Sequence, residues 1–382
     1  MSATQVALVV MDRQLRVDLA TITANVAALC ERVRGSQVMA VVKQDAYGHG
    51  LMPCTRAALA GGARWLGVAH VPEALALRQA GITAPLLCLM GVPEHAHEDA
   101  IRAGVDLTAG STGLLRWIAA AATRAGRPAR VHLEADTGLS RGGAHRADWT
   151  ALVDAAVAAQ AAGLVQVTGL WSHFACADLP GHPSVAAQLA AFADAVGHAE
   201  KAGLTPEIRH IANTAAALTV PESRLDLVRF GGAVYGLSTL PGGAPSWLRP
   251  AMSLRARLAL VKRVPPGSGV SYGYRYVTDH ETTLGLVPLG YADGVPRGAA
   301  GLPLVSARGR RWPIAGTVCM DQFVVDFGDE PVAAGEEVVL FGPGEDGEAT
   351  AQEWGEALGT ISYEIAVGVG ARVPRSYPGG FE

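Results

Sequence analysis

Cysteine is scarce in this chain of 382 residues, and the few present show no pairing pattern. Cys30, Cys54, Cys88, Cys176 and Cys319 are odd in number, widely spread and free of any CxxC spacing. That excludes a disulfide framework and a zinc ribbon, and fits reduced thiols in a cytosolic protein. Charge of one sign is lacking too. Lys and Arg total 31 against 35 Asp and Glu, a net charge of −4, and no basic face is concentrated for a nucleic acid. The opening MSATQVALVVMD has no basic leader before its apolar run, so it does not read as a signal peptide. Residues 155–172 carry no charge, but Gln160, Gly163, Gln166 and Gly169 interrupt them, predicting helix, turn and strand instead of a membrane span. No GxGxxG follows the first strand candidate, which counts against a dinucleotide fold.

What is present is a long, apolar, Ala- and Gly-rich chain, 49% hydrophobic, which suits a packed α/β protein of two domains. From about residue 37 short apolar runs alternate with helical segments. The runs are 37–43, 65–69, 85–89, 105–108, 130–135, 165–171, 207–211 and 225–230. Eight strands separated by helices predict a (β/α)8 TIM-type barrel, although a doubly wound open sheet fits the same alternation. After about residue 245 helical periodicity fades. Short β-type runs appear between Gly and Pro turns, with 350–359 the only clear helix candidate, predicting a smaller, mostly β C-terminal domain. The expected division is 1–244 and 245–382, with a linker near 238–247. Sequence alone assigns the strand and helix of residues 1–36 to neither domain.

In a barrel, residues at the C-terminal ends of strands face the mouth where chemistry occurs. On this map Lys43, Asp136, His173, Asn213, Thr214 and Arg229 stand at strand ends. Lys43 is the most informative. It follows Ala40-Val41-Val42 and precedes a loop with Gly48 and Gly50. A lysine capping a buried strand is desolvated, which lowers its pKa and suits imine chemistry, and the glycines let backbone approach a ligand. A lysine opening a surface loop fits the same residues.

The stretch AVVKQDAYGHG (40–50) resembles the cofactor-lysine motif of the alanine racemase family. Further matches follow in the family's order: HLEADTGLSRGG (132–143), GLWSHFACAD (169–178), HIANTAA (210–216), DLVRFGGAVYGL (226–237), GVSYGYRY (269–276), GYADGVPR (290–297), GTVCMDQ (316–322), TISYE (360–364) and RVPR (372–375). The resemblance implies a (β/α)8 barrel with a C-terminal β domain, pyridoxal 5'-phosphate as cofactor, and a cytoplasmic homodimer interconverting L- and D-alanine for peptidoglycan. It implies that Lys43 carries the cofactor, and that Tyr47, Asn213, Thr214, Gly231, Gly232 and Tyr363 surround its phosphate. The loops after strands seven and eight, where barrels commonly hold phosphate, independently contain Thr214 and Gly231-Gly232. By the same resemblance His173 packs behind the pyridine ring and Arg229 meets its nitrogen. Arg141 and the backbone N–H of Met320 hold the substrate carboxylate. Asp178, Tyr291, Arg297 and Ile361 stand around the entrance. Racemisation exchanges a proton on both faces of Cα, and the resemblance gives one face to Lys43 and the other to Tyr272 of the partner subunit. A phenol keeps its proton at neutrality, so that role calls for nearby cations such as Arg141, or Arg229 through His173.

Two positions depart from the family pattern. Many members have at 134 a lysine that becomes carbamylated and holds the substrate-binding arginine; here it is Glu134, which keeps the negative charge on a shorter stem. Thr317 stands where arginine is common. The alternatives are a racemase of the same family for another small amino acid, or a related decarboxylase. Decarboxylases of that kind place an acid, not an arginine, at the ring nitrogen.

Overall fold

A computed structural model describes residues 12–93, 96–240 and 242–378. The chain divides into two compact units: Ala20–Leu248, and residues to Leu19 together with those from Arg249 on. The opening apolar run, residues 1–11, lies outside the described residues. In chain order the first nine strands are β1 (Arg13–Val17), β2 (Gln37–Val41), β3 (Trp65–Val68), β4 (Leu86–Cys88), β5 (Asp106–Ala109), β6 (Ala129–Glu134), β7 (Val165–Trp171), β8 (Ile208–His210) and β9 (Leu227–Phe230).

Strands β2 to β9 form one parallel sheet in the order β8-β7-β6-β5-β4-β3-β2-β9. Backbone N–H groups of Asp226 and Arg229 donate to the carbonyls of Arg209 and Ala212 at 3.2 and 3.1 Å, so the sheet nearly closes into a barrel. All eight runs read from the sequence form its strands. They are buried along most of their length, as strands covered on both faces must be. Met39, Val41, Trp65, Leu87, Ile208 and Leu227 pack together as one buried cluster. The uncharged stretch is the end of helix Arg146–Ala161, a turn and β7. No helix among the described residues is long and apolar enough to cross a membrane.

The first 36 residues split between the units. Helix Leu19–Arg32 precedes β2, but β1 pairs antiparallel with Met252–Arg257 and parallel with Arg375–Ser376. Leu15 and Val17 are fully buried while Arg16 is exposed, the alternation of a strand with one covered face. A span of 1–244 for the barrel is therefore corrected at its start. The second unit holds a six-stranded sheet containing β1 and a four-stranded sheet of Leu260–Val264, Thr282–Val287, Phe323–Asp326 and Ile314–Ala315. The expected helix is present as Ala351–Leu358, opened by a Thr350–Glu353 capping box. A second, Ser362–Gly368, escaped the sequence reading. Its N-cap, Ile361, makes no side-chain cap bond, and Ile, Val and Gly in seven residues carry little helical signal.

Candidate active site

The segment after β2 turns the wrong way for an L-amino-acid helix. Gln44, Asp45, Ala46 and Tyr47 all have φ between +53° and +55°, a left-handed turn of four non-glycine residues directly after Lys43. Each such residue costs about 1–2 kcal/mol relative to the right-handed form, so other contacts must hold the turn. Glu73 is one. Its carboxylate accepts the N–H groups of Gln44 at 2.6 Å, Ala69 at 2.9 Å and His70 at 3.1 Å, joining the turn to the end of β3. Asp45 accepts from Leu51 N–H at 2.7 Å, and the turn's own backbone bonds run from Ala46 to Val42 and Gly48 to Gln44. Below it the buried Tyr235 donates to the Val41 carbonyl at 3.0 Å and its ring stacks on His49. Neither Glu73 nor Tyr235 was singled out from sequence. For Glu73 a signal existed: it stands three residues after His70, the spacing of a capping box.

Lys43 is thereby held at the C-terminal rim. Burial, and then the Arg141 guanidinium, keep its amine below the ordinary lysine range, with Glu73 pulling the other way. Arg229, at 4% exposure, reaches across the barrel from β9. It donates to His210 Nδ1 at 2.8 Å, His173 Nδ1 at 3.1 Å, and the carbonyls of Ser172 and Ile211 at 2.9 and 3.1 Å. Burial lowers it to about 9, Glu134 opposing, which leaves it cationic at neutrality. His173 is pushed down to about 3 by burial and by Arg229, Arg141 and Lys43, and so stays neutral. Lys43, Arg141, His173 and Arg229 thus lie within electrostatic reach of one another.

The loops after β8 and β9 meet as expected. Asn213 caps helix Thr214–Thr219 by accepting from Ala216 N–H at 3.0 Å, and Gly231 N–H points to Thr214 Oγ1 at 3.4 Å. A Cβ on Gly231 would lie 2.4 Å from Tyr47 Oη, so only glycine lets that phenol come so close. Tyr47, Gly231 and Thr214 are therefore neighbours, with Gly232 opening the next short turn. Asp178 lies in the loop after β7.

Glu134 does not bond Arg141. Among the described residues no ion pair joins them, and Arg141 is exposed. The Glu134 carboxylate sits in a glycine-lined cradle, where a Cβ on Gly142 would be 3.1 Å from both its oxygens. Burial pushes it up to about 7, against the pull of Arg229 first and Arg141 second. Near neutrality the group is therefore only partly ionised, and it does not pair with the arginine.

The remaining sequence-predicted residues belong to the second unit. Tyr272 opens the short turn Tyr272–Tyr274 and is 74% exposed. Ser271 before it has φ +60° and ψ −169°, a region nearly restricted to glycine. Thr317 braces this segment from both sides. Its carbonyl accepts from Ser271 Oγ at 2.6 Å, and its hydroxyl donates to the Tyr272 carbonyl at 3.1 Å. Tyr291 and Ala292 donate backbone N–H to the carbonyls of Cys319 and Met320 at 3.0 Å, which sets Tyr291 beside Met320. Gly370 N–H bonds Asp293 C=O, tying the segment after Tyr363's helix to the same turn. Ile361, at the start of that helix, is half exposed, and Arg297 opens an exposed turn of its own. The structure thus gathers Tyr272, Thr317, Met320 and Tyr291 on one unit, and Lys43, Tyr47, His173, Thr214, Arg229 and Gly231 on the other.

The barrel residues fit pyridoxal phosphate. They offer an amine that holds its proton less tightly than an ordinary lysine, hydroxyl and backbone N–H groups beside Gly231 for a phosphate, and a buried donor-only cation for an aromatic nitrogen.

The chain matches the family model for the alanine racemase N-terminal domain over residues 17–239 and that for the C-terminal domain over 251–377. It is 58% identical over 366 residues to the alanine racemase of Thermobifida fusca, covering 96% of this chain and 98% of that protein. The crystal structure of alanine racemase from D-cycloserine-producing Streptomyces lavendulae superposes with a TM-score of 0.95 at 54% identity, over 97% of this chain and 98% of that one. The Bacillus anthracis alanine racemase with bound L-Ala-P superposes at 0.89, with 34% identity over 96% and 95%.

Proposed function

Because the chain belongs to the alanine racemase family, we propose that it interconverts L- and D-alanine on pyridoxal phosphate held by Lys43, with a second base from a partner subunit. It is an isomerase. The observation that carries the site reading is the convergence of Lys43, Arg141, His173 and Arg229 at one barrel rim, with the lysine amine depressed and the histidine kept neutral.

When bound, the cofactor supplies an electron sink that acidifies the substrate Cα–H. Lys43 takes or returns that proton on one face. Tyr272 serves the other face, and its exposure on its own chain, with that of Met320 at 53%, supports a place in a neighbour's site. Arg229 would donate to the ring nitrogen and, having no lone pair to offer, would leave it unprotonated. A cofactor so held would be a weaker electron sink, which would favour prompt return of the proton to Cα over side reactions. Arg141 and the Met320 N–H orient the substrate carboxylate, while Asp178, Tyr291, Arg297 and Ile361 shape the entrance. Tyr47, Asn213, Thr214, Gly231, Gly232 and Tyr363 hold the phosphate. Cytoplasmic supply of D-alanine for peptidoglycan completes the reading and rests on the family.

Circular-dichroism turnover of a panel of L-amino acids tests it, with visible absorbance recorded for bound cofactor. Alanine is expected to turn over fastest, and Lys43→Ala to lose both turnover and a borohydride-reducible link to the cofactor. A reducible link surviving in Lys43→Ala would overturn the lysine assignment.

A further inference from the structure

Arg229 carries a buried charge, and among the described residues no carboxylate forms an ion pair with it. Its Nη1–H bonds His210 Nδ1 at 2.8 Å, His210 Nε2 lies 3.0 Å from His132 Nδ1, and His132 Nε2, which makes no aligned hydrogen bond, has Asp106 Oδ2 facing it at an ion-pair distance of 3.3 Å. All four residues are at most 4% exposed, and both histidines are fully buried. The direction of every link follows from one fact: arginine only donates. His210 must therefore present a lone pair at Nδ1 and a proton at Nε2. His132 must accept at Nδ1 and present its proton at Nε2, and Asp106 is the acceptor that ends the series.

The barrel is built around this line. A Cβ on Gly169 of β7 would lie 2.3 Å from His132 Nδ1, so glycine there makes the room for the ring. Trp171 stacks on His210 at 5.7 Å, and the Arg229 guanidinium lies over Trp171 at 4.9 Å. At the far end Asp106, the first residue of β5, also accepts from Arg130 Nε at 2.9 Å and Thr168 Oγ1 at 3.2 Å. Burial would raise its carboxyl, but His132 and Arg130 outweigh that and keep it ionised. His210 is driven far below the ordinary histidine range by burial, Arg229 and His132, so it is neutral, as the series requires.

We propose that Asp106 is a positioning residue for Arg229, acting from the opposite end of the barrel through His132 and His210. Anchored by the carboxylate, the two rings hold one tautomer and one orientation, and so aim the guanidinium. The proposal rests on the reading of Arg229 as the group that meets the cofactor's ring nitrogen. The competing account is a plain ion pair between Asp106 and Arg130 that stabilises the lower end of the barrel.

The ring N–H resonances of holoenzyme labelled with 15N-histidine separate the two, read beside steady-state kinetics. In Asp106→Asn the His132 N–H should move upfield and the His210 N–H should follow, with kcat down on the order of tenfold and KM for alanine within about twofold. Arg130→Gln removes the ion pair and keeps the carboxylate, so both resonances and kcat should stay near wild type. A shift confined to His132, an unchanged kcat, or an Arg130→Gln variant that reproduces Asp106→Asn would each overturn the proposal. If Asp106→Asn does not fold, His132→Phe cuts the series while sparing the Asp106–Arg130 pair. It should lose kcat to the same extent, and a wild-type kcat there would also overturn the proposal. Wild-type protein without racemase activity would instead overturn the function, leaving the resonance result standing.

Discussion

Thr317 shows how a substitution within a familiar motif finds a local use. Its hydroxyl and carbonyl brace both sides of the Ser271–Tyr272 peptide, where the backbone is strained. Removing the hydroxyl in Thr317→Val costs one net hydrogen bond, about 1 kcal/mol, or roughly fivefold in rate where the geometry of Tyr272 matters. The expected outcome is a slower proton exchange from one alanine enantiomer, measured by deuterium incorporation, with Thr317→Ser close to wild type. Equal slowing from both enantiomers would count against a role specific to Tyr272. Glu134 makes a different prediction. Its pKa rises on folding from the ordinary 4.5 to about 7. Between those values the folded protein holds a proton that the unfolded chain has released. Stability therefore declines as pH rises through that window, by about 3 kcal/mol in full. Above it the cost is complete. Glu134→Gln should flatten this slope in urea titrations at successive pH values; an unchanged slope would mean that another group sets it.

At the scale of elements, the left-handed turn 44–47 is the costly feature, and Glu73 is its chief anchor. Glu73→Ala leaves three backbone N–H groups without their carboxylate. A loss of about 2–3 kcal/mol in denaturant unfolding is expected. Visible absorbance should show weaker cofactor retention, because Lys43 opens that turn. Full retention with the same destabilisation would show that the turn does not govern the lysine. The turn was invisible in the sequence because, Asp45 aside, nothing in Gln-Asp-Ala-Tyr favours positive φ, and Asp adopts it as a single residue, not in a run of four. The barrel strands were plain as eight apolar runs alternating with helical segments, although the same alternation also fits an open sheet. Strand β1 was not assignable, because five residues of alternating burial fit any open sheet edge.

For the whole molecule, the residues proposed for the site fall on two units of the chain, and the second unit has Tyr272 and Met320 exposed to solvent. Mixing Lys43→Ala subunits with Tyr272→Phe subunits should restore up to one working site per heterodimer. Circular-dichroism racemisation after verified subunit exchange measures this. No recovery would mean that each site is complete within one chain.

Fold class and family could be read from the order of residues, because strand periodicity and motif spacing are local properties. Lys43 at a strand end and Thr214 beside Gly231-Gly232 follow from position along a barrel strand. What the tertiary structure alone decided are the relations across the barrel. Glu134 does not pair with Arg141, and burial among Gly110, Gly142 and Gly143 raises its pKa to about 7, neither of which its place in the sequence reveals. His132, His210 and Asp106 look like ordinary strand residues on separate runs. Only closure of the sheet turns their side chains inward onto one line, where exclusion of water makes every donor and acceptor count.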